Sequence, residues 1–66
     1  MKNFVRKERK KKNLTQEQLA HKMEVSRQTI NAIETNKYLP SIELALKLSD
    51  FFEMSANELF KLDSKS

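Results

Sequence analysis

Apolar and polar residues follow one another along this chain with the spacing of helices rather than of strands. Apolar side chains recur about one helical turn apart, which places them on one face of an α-helix. This pattern indicates five short helices, joined by brief polar turns, and no sizeable sheet. We therefore predict an all-α fold in which residues 1–66 form a single domain, and leave open whether short strands form at the two termini.

The first two predicted helices supply one side of the core. The first runs from about residue 3 to residue 12, with Phe4 and Val5 facing the interior. The second begins at Thr15, whose spacing from Gln18 is that of a capping box, in which each side chain binds a free backbone N–H of the other residue. The inner face of the second helix is predicted to consist of Leu19, Ala20 and Met23.

The third predicted helix has a clear start and a clear inner face. Ser26 is a typical N-cap residue, because its hydroxyl can accept a hydrogen bond from a free backbone N–H at a helix start. Ile30 and Ile33 lie on the inner side, and Val25 packs just ahead of the helix.

A loop at residues 36–40 separates the third helix from the most hydrophobic segment of the chain. Asn36 tolerates a positive φ angle better than most residues, and the proline at the end of the loop keeps its predecessor extended. Ser41 then caps a fourth helix, which is predicted to run from residue 42 to about residue 52.

A short fifth helix is predicted near the end of the chain. Ser55 and Glu58 have the spacing of a second capping box, and the helix that they start is predicted to run through Phe60. Residues 63–66 are polar and are expected to fray.

The fourth helix carries more apolar residues than one buried stripe requires. At about 100° per residue, its inner face is predicted to hold Ile42, Ala45, Leu48 and Phe52. A helix central to a small core is buried nearly all round, which would account for the surplus. The alternative is a dimer interface, for which the candidates are Leu44, Phe51, Phe60 and Leu62.

Basic charge is concentrated in the first two thirds of the chain. Residues 1–40 hold ten Lys and Arg against four Asp and Glu, whereas residues 41–66 hold three against five. A basic front and a mildly acidic back suit a domain that meets a polyanion with one side. The run at residues 10–12, taken alone, is equally consistent with a solvated tail or helix face.

The composition gives little support to other kinds of site. The chain has no cysteine and one histidine, so we expect no disulfide, metal or other cofactor. It has no glycine-rich phosphate loop and no constellation of paired catalytic carboxylates, so we expect neither an enzyme nor a small-molecule ligand. Because no apolar run approaches the length of a signal sequence or a membrane-spanning helix, we expect a cytoplasmic protein without membrane contact.

The outer face of the third helix carries the residues expected to contact DNA bases. The helical repeat places Gln28, Asn31, Ala32 and Thr35 opposite the apolar side, with Arg27 at the N-terminal flank. Arginine can pair with guanine, glutamine and asparagine can pair with adenine, and methyl groups can contact thymine. We predict base contacts from Arg27, Gln28, Asn31 and Ala32; ordinary solvated residues are the alternative.

The start of the second helix is suited to a phosphate, because free backbone N–H groups and the helix dipole attract anions there. Gln16 occupies its first position and is predicted to fix the register on DNA rather than to read the sequence. Further candidates for phosphate or positioning contacts are Thr29, Asn36, Lys37 and Lys12.

Taken together, these segments resemble the Cro/C1-type (Xre-like) helix-turn-helix family of phage repressors and small bacterial regulators. The resemblance rests on Leu-Thr-Gln-Glu-Gln-Leu-Ala at 14–20, Val-Ser-Arg-Gln-Thr-Ile-Asn at 25–31, Ile-Glu at 33–34 and Asn-Lys-Tyr-Leu-Pro-Ser at 36–41. It covers about residues 4–60, with the helix-turn-helix at about 15–35. It implies a compact five-helix domain of the lambda-repressor type that binds operator DNA, usually as a dimer.

The resemblance also assigns roles to single residues. The phosphate-binding glutamine of the family falls on Gln16, and its base-reading positions fall on Arg27, Gln28 and Ala32. A family arginine in the first helix pairs with a glutamate at the end of the third helix. The corresponding residues here are Arg9 and Glu34.

The chain departs from the family pattern at three positions. Glu24 stands at the corner between the two helices, where the family usually has glycine, so a left-handed conformation there would cost roughly 1–2 kcal/mol. Glu8 occupies a first-helix position that is commonly leucine. Ala32 lacks the hydrogen-bonding side chain that some members use, which shifts the expected readout towards its neighbours.

We therefore predict a sequence-specific, double-stranded DNA-binding regulator of transcription, acting as a repressor that binds a palindromic operator as a homodimer through the major groove. Two alternatives remain. One is the antitoxin of a toxin–antitoxin pair, which needs a partner-binding segment, although only residues 62–66 are left for it. The other is a protein-interaction domain that has lost DNA binding, which an acidic outer face on the third helix would have favoured.

Overall fold

The computed structural model describes residues 2–61, and within them it contains five helices and two short strands. In chain order these are β1 (Lys2–Asn3), α1 (Val5–Lys11), α2 (Gln16–Met23), α3 (Arg27–Glu34), α4 (Ile42–Phe51), α5 (Ala56–Leu59) and β2 (Phe60–Lys61). The prediction of a five-helix, predominantly α-helical fold is confirmed. No helix in the described part is long and apolar enough to cross a membrane. The predicted tail at 63–66 and the candidate interface residue Leu62 lie outside the described residues.

The two strands answer the question about the termini. β1 and β2 pair antiparallel, with Lys2 opposite Lys61 and Asn3 opposite Phe60. The backbone N–H of Phe4 donates to the carbonyl of Leu59 at 2.9 Å and extends this pairing. Phe60 therefore has extended backbone angles, and α5 ends one residue earlier than predicted.

Side-chain caps start four of the helices at the predicted residues. Thr15 and Ser55 each form a complete capping box, while Ser26 and Ser41 each accept a hydrogen bond from the backbone N–H three residues later. The start of α1 uses a different device, because Asn3 accepts a hydrogen bond from the backbone N–H of Val5 at 3.2 Å. The starts of α2 to α5 are thus set by local polar residues, as the sequence indicates, whereas α1 begins at Val5 rather than near residue 3, because Asn3 belongs to β1.

The turns are built without glycine. Within residues 2–61, positive φ angles occur at Asn13, Glu24, Asn36 and Glu53. Glu24 is the left-handed C-cap of α2, with φ 62° and ψ 41°, as a tight corner at the family's glycine position requires. The following N–H, that of Val25, donates to the carbonyl of Ala20 at 3.0 Å and closes the corner.

The core is shared by all five helices. Its fully buried side chains are Val5, Leu19, Ile30, Ile33, Leu48 and Leu59. The inner faces predicted for the second and third helices are confirmed, since the residues assigned to them are all buried. Phe4 and Val25 are half-buried and pack against the core, which also agrees with the prediction.

The predicted inner face of α4 is wrong in part. Ile42 is 80% exposed, whereas Leu44 is only 7% exposed and belongs to the core. The angular positions around the helix axis explain why Leu44 is buried and Ile42 is not. Relative to the fully buried Leu48, Leu44 lies about 40° away and Ile42 lies about 120° away. Leu44 is therefore a core residue and does not offer an exposed surface to a partner, while Leu46 is 57% exposed.

Candidate nucleic-acid interface

The corner between α2 and α3 presents the outer face of α3 to solvent. Ile30 and Ile33 are completely buried, while the side of α3 opposite them is polar. Arg27, Gln28 and Asn31 are all exposed there, as predicted. With Gln16 they line a shallow depression of about 340 Å³, and we call these four residues the reading surface. Ala32 lies beside it and is half-buried.

A buried ion pair lies directly behind the reading surface. Arg9 donates from Nε to Oε2 of Glu34 at 2.7 Å and from Nη2 to Oε1 at 3.2 Å. The side chains are only 10% and 2% exposed, respectively. Arg9 also donates from Nη1 to the carbonyl of Leu14 at 2.7 Å. The arginine therefore ties α1, the α1–α2 turn and the end of α3 together at the residues that the family resemblance implies.

Gln16 joins this pair to the reading surface. Its Nε2 donates to Oε1 of Glu34 and to Oδ1 of Asn31, each at 3.1 Å. The sequence predicted a phosphate contact for Gln16 but gave no indication of these two partners. In the free protein the side-chain amide of Gln16 thus connects α2 to α3, and its contact with phosphate stays a prediction.

Arg6 was missed by the sequence analysis. It lines a second depression, of about 230 Å³, next to the reading surface, with Arg9, Gln16, Asn31, Glu34 and Thr35. Arg6 is exposed and precedes Arg9 by three residues, which places both arginines on one side of α1. That spacing could have identified it. Arg9 and Glu34 neutralise each other, so the charge of Arg6 makes this edge of the reading surface positive.

The end of α3 is held by a second missed residue. Asn3 donates from Nδ2 to the carbonyl of Ile33 and to Oδ1 of Asn36, both at 2.9 Å. Asn36 has the predicted positive φ angle, and its side-chain oxygen is engaged within the protein. The next residue, Lys37, is exposed and its backbone N–H donates to the carbonyl of Ala32 at 2.8 Å. Lys37 therefore follows the end of α3 directly, with its side chain exposed to solvent.

Two predicted phosphate candidates lie elsewhere. The hydroxyl of Thr29 is 3.0 Å from that of Ser26, and Thr29 lines a separate groove between the α2–α3 corner and α4. Lys12 places its Nζ 5.5 Å from the ring centroid of Phe51, on α4. Thr29 therefore lies on the side of α3 that faces α4, and Lys12 lies against α4 from the end of α1. The structure brings neither residue to the reading surface.

The chain is similar in sequence to known helix-turn-helix proteins over nearly its full length. The sequence profile of the family described as Helix-turn-helix matches residues 5–59. An uncharacterised HTH-type transcriptional regulator of Methanocaldococcus jannaschii is 52% identical over 60 residues, which cover 91% of each chain. One of Bacillus subtilis is 39% identical over 66 residues, covering both chains completely.

A third relative has a more specific name. The HTH-type transcriptional activator BcrR of Enterococcus faecalis is 46% identical over 48 residues, which make up 73% of this chain but 24% of that protein. The profile match spans all five helices, and two relatives are similar over nearly their full length. The chain therefore belongs to the Cro/C1-type helix-turn-helix family of DNA-binding transcriptional regulators and has its lambda-repressor-like fold.

Proposed function

We propose that this protein binds a specific operator by inserting α3 into the major groove of DNA. The observation that carries the proposal is the reading surface, in which polar side chains are exposed on the side of α3 opposite two completely buried isoleucines. Arg27 and Gln28 stand at the N-terminal end of α3, the end that contacts base edges in helix-turn-helix proteins. Each well-formed bidentate pair with a base contributes about 1–3 kcal/mol of discrimination.

We further propose that the protein acts as a homodimeric repressor on a palindromic operator. Two-fold symmetry would place two copies of α3 about one helical turn of DNA apart, roughly 34–36 Å. Because one relative bears the name of an activator, the direction of regulation needs its own measurement. The measurement uses a reporter gene whose promoter contains the operator found by selecting bound sequences from random DNA. Expression of the reporter should fall when the protein is present, and a rise would contradict the repressor assignment.

A second copy would have to cover apolar side chains that are exposed in the single chain. Ile42 and Leu46 are one turn apart on the outer side of α4, 80% and 57% exposed. A two-fold interface must be self-complementary. Glu43 and Lys47 flank this apolar pair on the same helix, so antiparallel pairing of two α4 helices sets each glutamate against the other copy's lysine. Of the candidates predicted from the sequence, Phe51 and Phe60 are half-buried against the core.

Selection of bound sequences from a random DNA pool tests the proposal directly. We expect a palindromic consensus, which reports both base reading and two-fold symmetry. Arg27→Ala and Gln28→Ala should then weaken binding to that consensus much more than binding to random DNA. Equal weakening on both DNAs would contradict the base-reading assignment, and the absence of any enriched sequence would favour a protein-interaction domain instead.

A further inference from the structure

The side-chain amide of Asn3 has only one orientation that suits its two backbone partners. Its Oδ1 accepts from the N–H of Val5 at 3.2 Å, and its Nδ2 donates to the carbonyl of Ile33 at 2.9 Å. A backbone N–H can only donate and a backbone carbonyl can only accept. Turning the amide over would set its nitrogen against an N–H and its oxygen against a carbonyl. The nitrogen of Asn3 therefore faces the end of α3.

The second proton on that nitrogen orients the amide of Asn36 in turn. The Nδ2 of Asn3 donates it to Oδ1 of Asn36 at 2.9 Å. The reverse orientation of Asn36 would bring two amino groups together, and neither of them can accept a hydrogen bond. The oxygen of Asn36 therefore points towards Asn3, and its nitrogen points away. Because Asn36 is exposed, the protons on this nitrogen are accessible to a ligand.

The outward end of Asn36 suits an acceptor, and the phosphate oxygens of DNA are acceptors that asparagine side chains contact. Helix α3 has eight residues, which makes it about 12 Å long. The major groove is only about 8.5 Å deep. When the N-terminal end of α3 contacts the bases, its C-terminal end therefore reaches the rim of the groove, where the phosphates lie. Asn36 follows that end closely.

We propose that Asn3 is a positioning residue for DNA binding, which turns the amide of Asn36 so that its nitrogen, rather than its oxygen, faces a phosphate. Asn3 acts from β1, where the pairing with Phe60 of β2 holds its backbone. The proposal rests on the proposed function, because it needs α3 in the major groove. It gives the N-terminal strand a part in DNA affinity, although the strand lies outside the helix-turn-helix.

Asn3→Asp tests the proposal, because it replaces the amide with a carboxylate of the same shape. The carboxylate can still accept from the N–H of Val5, but it cannot donate to Asn36. The amide of Asn36 should then turn its nitrogen inwards and present its oxygen to the phosphate. We expect the affinities for the selected operator and for random DNA to fall equally, by about tenfold, because a phosphate contact carries no sequence information.

The double variant with Asn36→Gly distinguishes positioning from other effects. Glycine keeps the positive φ angle of Asn36 and removes the amide. Asn36→Gly should itself weaken binding to both DNAs, and adding Asn3→Asp should then cost less than about twofold more. If the two losses multiply instead, Asn3→Asp acts through its charge or through the fold, and the proposal is overturned.

Lys2→Gln is the matched control, because it lowers the net charge by the same unit at the neighbouring residue of β1. An equal loss of affinity in this control, or wild-type affinity in Asn3→Asp, would also overturn the proposal. If circular dichroism shows that Asn3→Asp does not fold, Asn3→Ala replaces it in the same double variant, where losses that multiply again contradict the proposal. Failure of the wild type to enrich any sequence would instead contradict the proposed function itself.

Discussion

Arg9 and Glu34 form a doubly hydrogen-bonded ion pair that is almost completely withdrawn from solvent between α1 and α3. Removing two charges from water costs several kcal/mol for each ion, so most of their mutual attraction offsets this desolvation. The pair is therefore better understood as a device that fixes the position of α3, and of Gln16, than as a net source of stability.

Removal of one partner should be much more damaging than removal of both. Arg9→Met leaves the carboxylate of Glu34 buried without its counter-ion, and we expect the free energy of unfolding to fall by about 3–5 kcal/mol, as measured by urea denaturation. The double variant Arg9→Met with Glu34→Leu should recover most of this loss. If the double variant is as unstable as the single one, the attraction between the two charges exceeds the cost of removing them from water. The pair would then be a net source of stability rather than mainly a positioning device.

The left-handed backbone at Glu24 should make glycine preferable there. Relief of roughly 1–2 kcal/mol of strain, less about 0.5–1 kcal/mol for the greater unfolded-state freedom of glycine, predicts that Glu24→Gly raises the free energy of unfolding by about 0.5–1 kcal/mol. A thermal melt checks this. Glu24→Gln keeps the Cβ atom and removes only an exposed ion pair with Lys47 at 3.5 Å, so it should have little effect. An equal gain from both variants would indicate a charge effect.

Exposed positive side chains near α3 should contribute to the salt dependence of DNA binding: Arg6 lies beside the reading surface, and Lys37 follows the end of α3. If Arg6 and Lys37 each contact a phosphate, Arg6→Gln and Lys37→Gln should each make the slope of log affinity against log salt shallower by about 0.9, on operator and random DNA alike. Lys22→Gln is the control, because Lys22 is exposed on a different face of α2. An equal change in the control would show that net charge, rather than position, determines the slope.

The outer side of α4 offers a clean test of the proposed dimer. Ile42→Glu and Leu46→Glu change exposed residues, so each should shift a dimer towards monomer in sedimentation equilibrium while the helical circular dichroism is retained. Phe51→Glu is less informative, because Phe51 is half-buried and its ring meets that of Phe52 edge-on at a centroid distance of 5.1 Å. An unchanged dimer mass in both α4 variants would exclude this surface as the interface.

The sequence was most informative where structure is set locally. The starts of α2 to α5 follow from hydroxyl side chains and their neighbours within three residues, and all four were predicted correctly. The inner face of α4 was predicted less well, because an apolar residue in the first turn, Ile42, need not be covered by the rest of the chain. The periodicity of a helix cannot show which side its neighbours cover.

Contacts between distant side chains were the least predictable part of the site. The hydrogen bonds from Gln16 to Asn31 and Glu34 depend on how closely α2 approaches α3, to within about one ångström, and no residue pattern encodes that distance. Arg9 and Glu34 were identified only through the family resemblance. The hydrogen bond from Asn3 to the end of α3 depends on the pairing of β1 with β2, which the sequence did not decide.

That strand pairing also bears on the order of folding. Lys2 and Lys61 lie opposite each other, so their contact closes a loop of almost the entire described chain, and the entropic cost of closure rises with loop length. The helices can pack before this contact forms. The strands are only two residues long, so they make too few contacts to pair before the helices have packed. We therefore expect the amide of Phe4, bonded to Leu59, to exchange with solvent before those of α2 and α3. The hydrogen bonds from Asn3 to the end of α3 would then be among the last contacts of the fold to form and among the first to break.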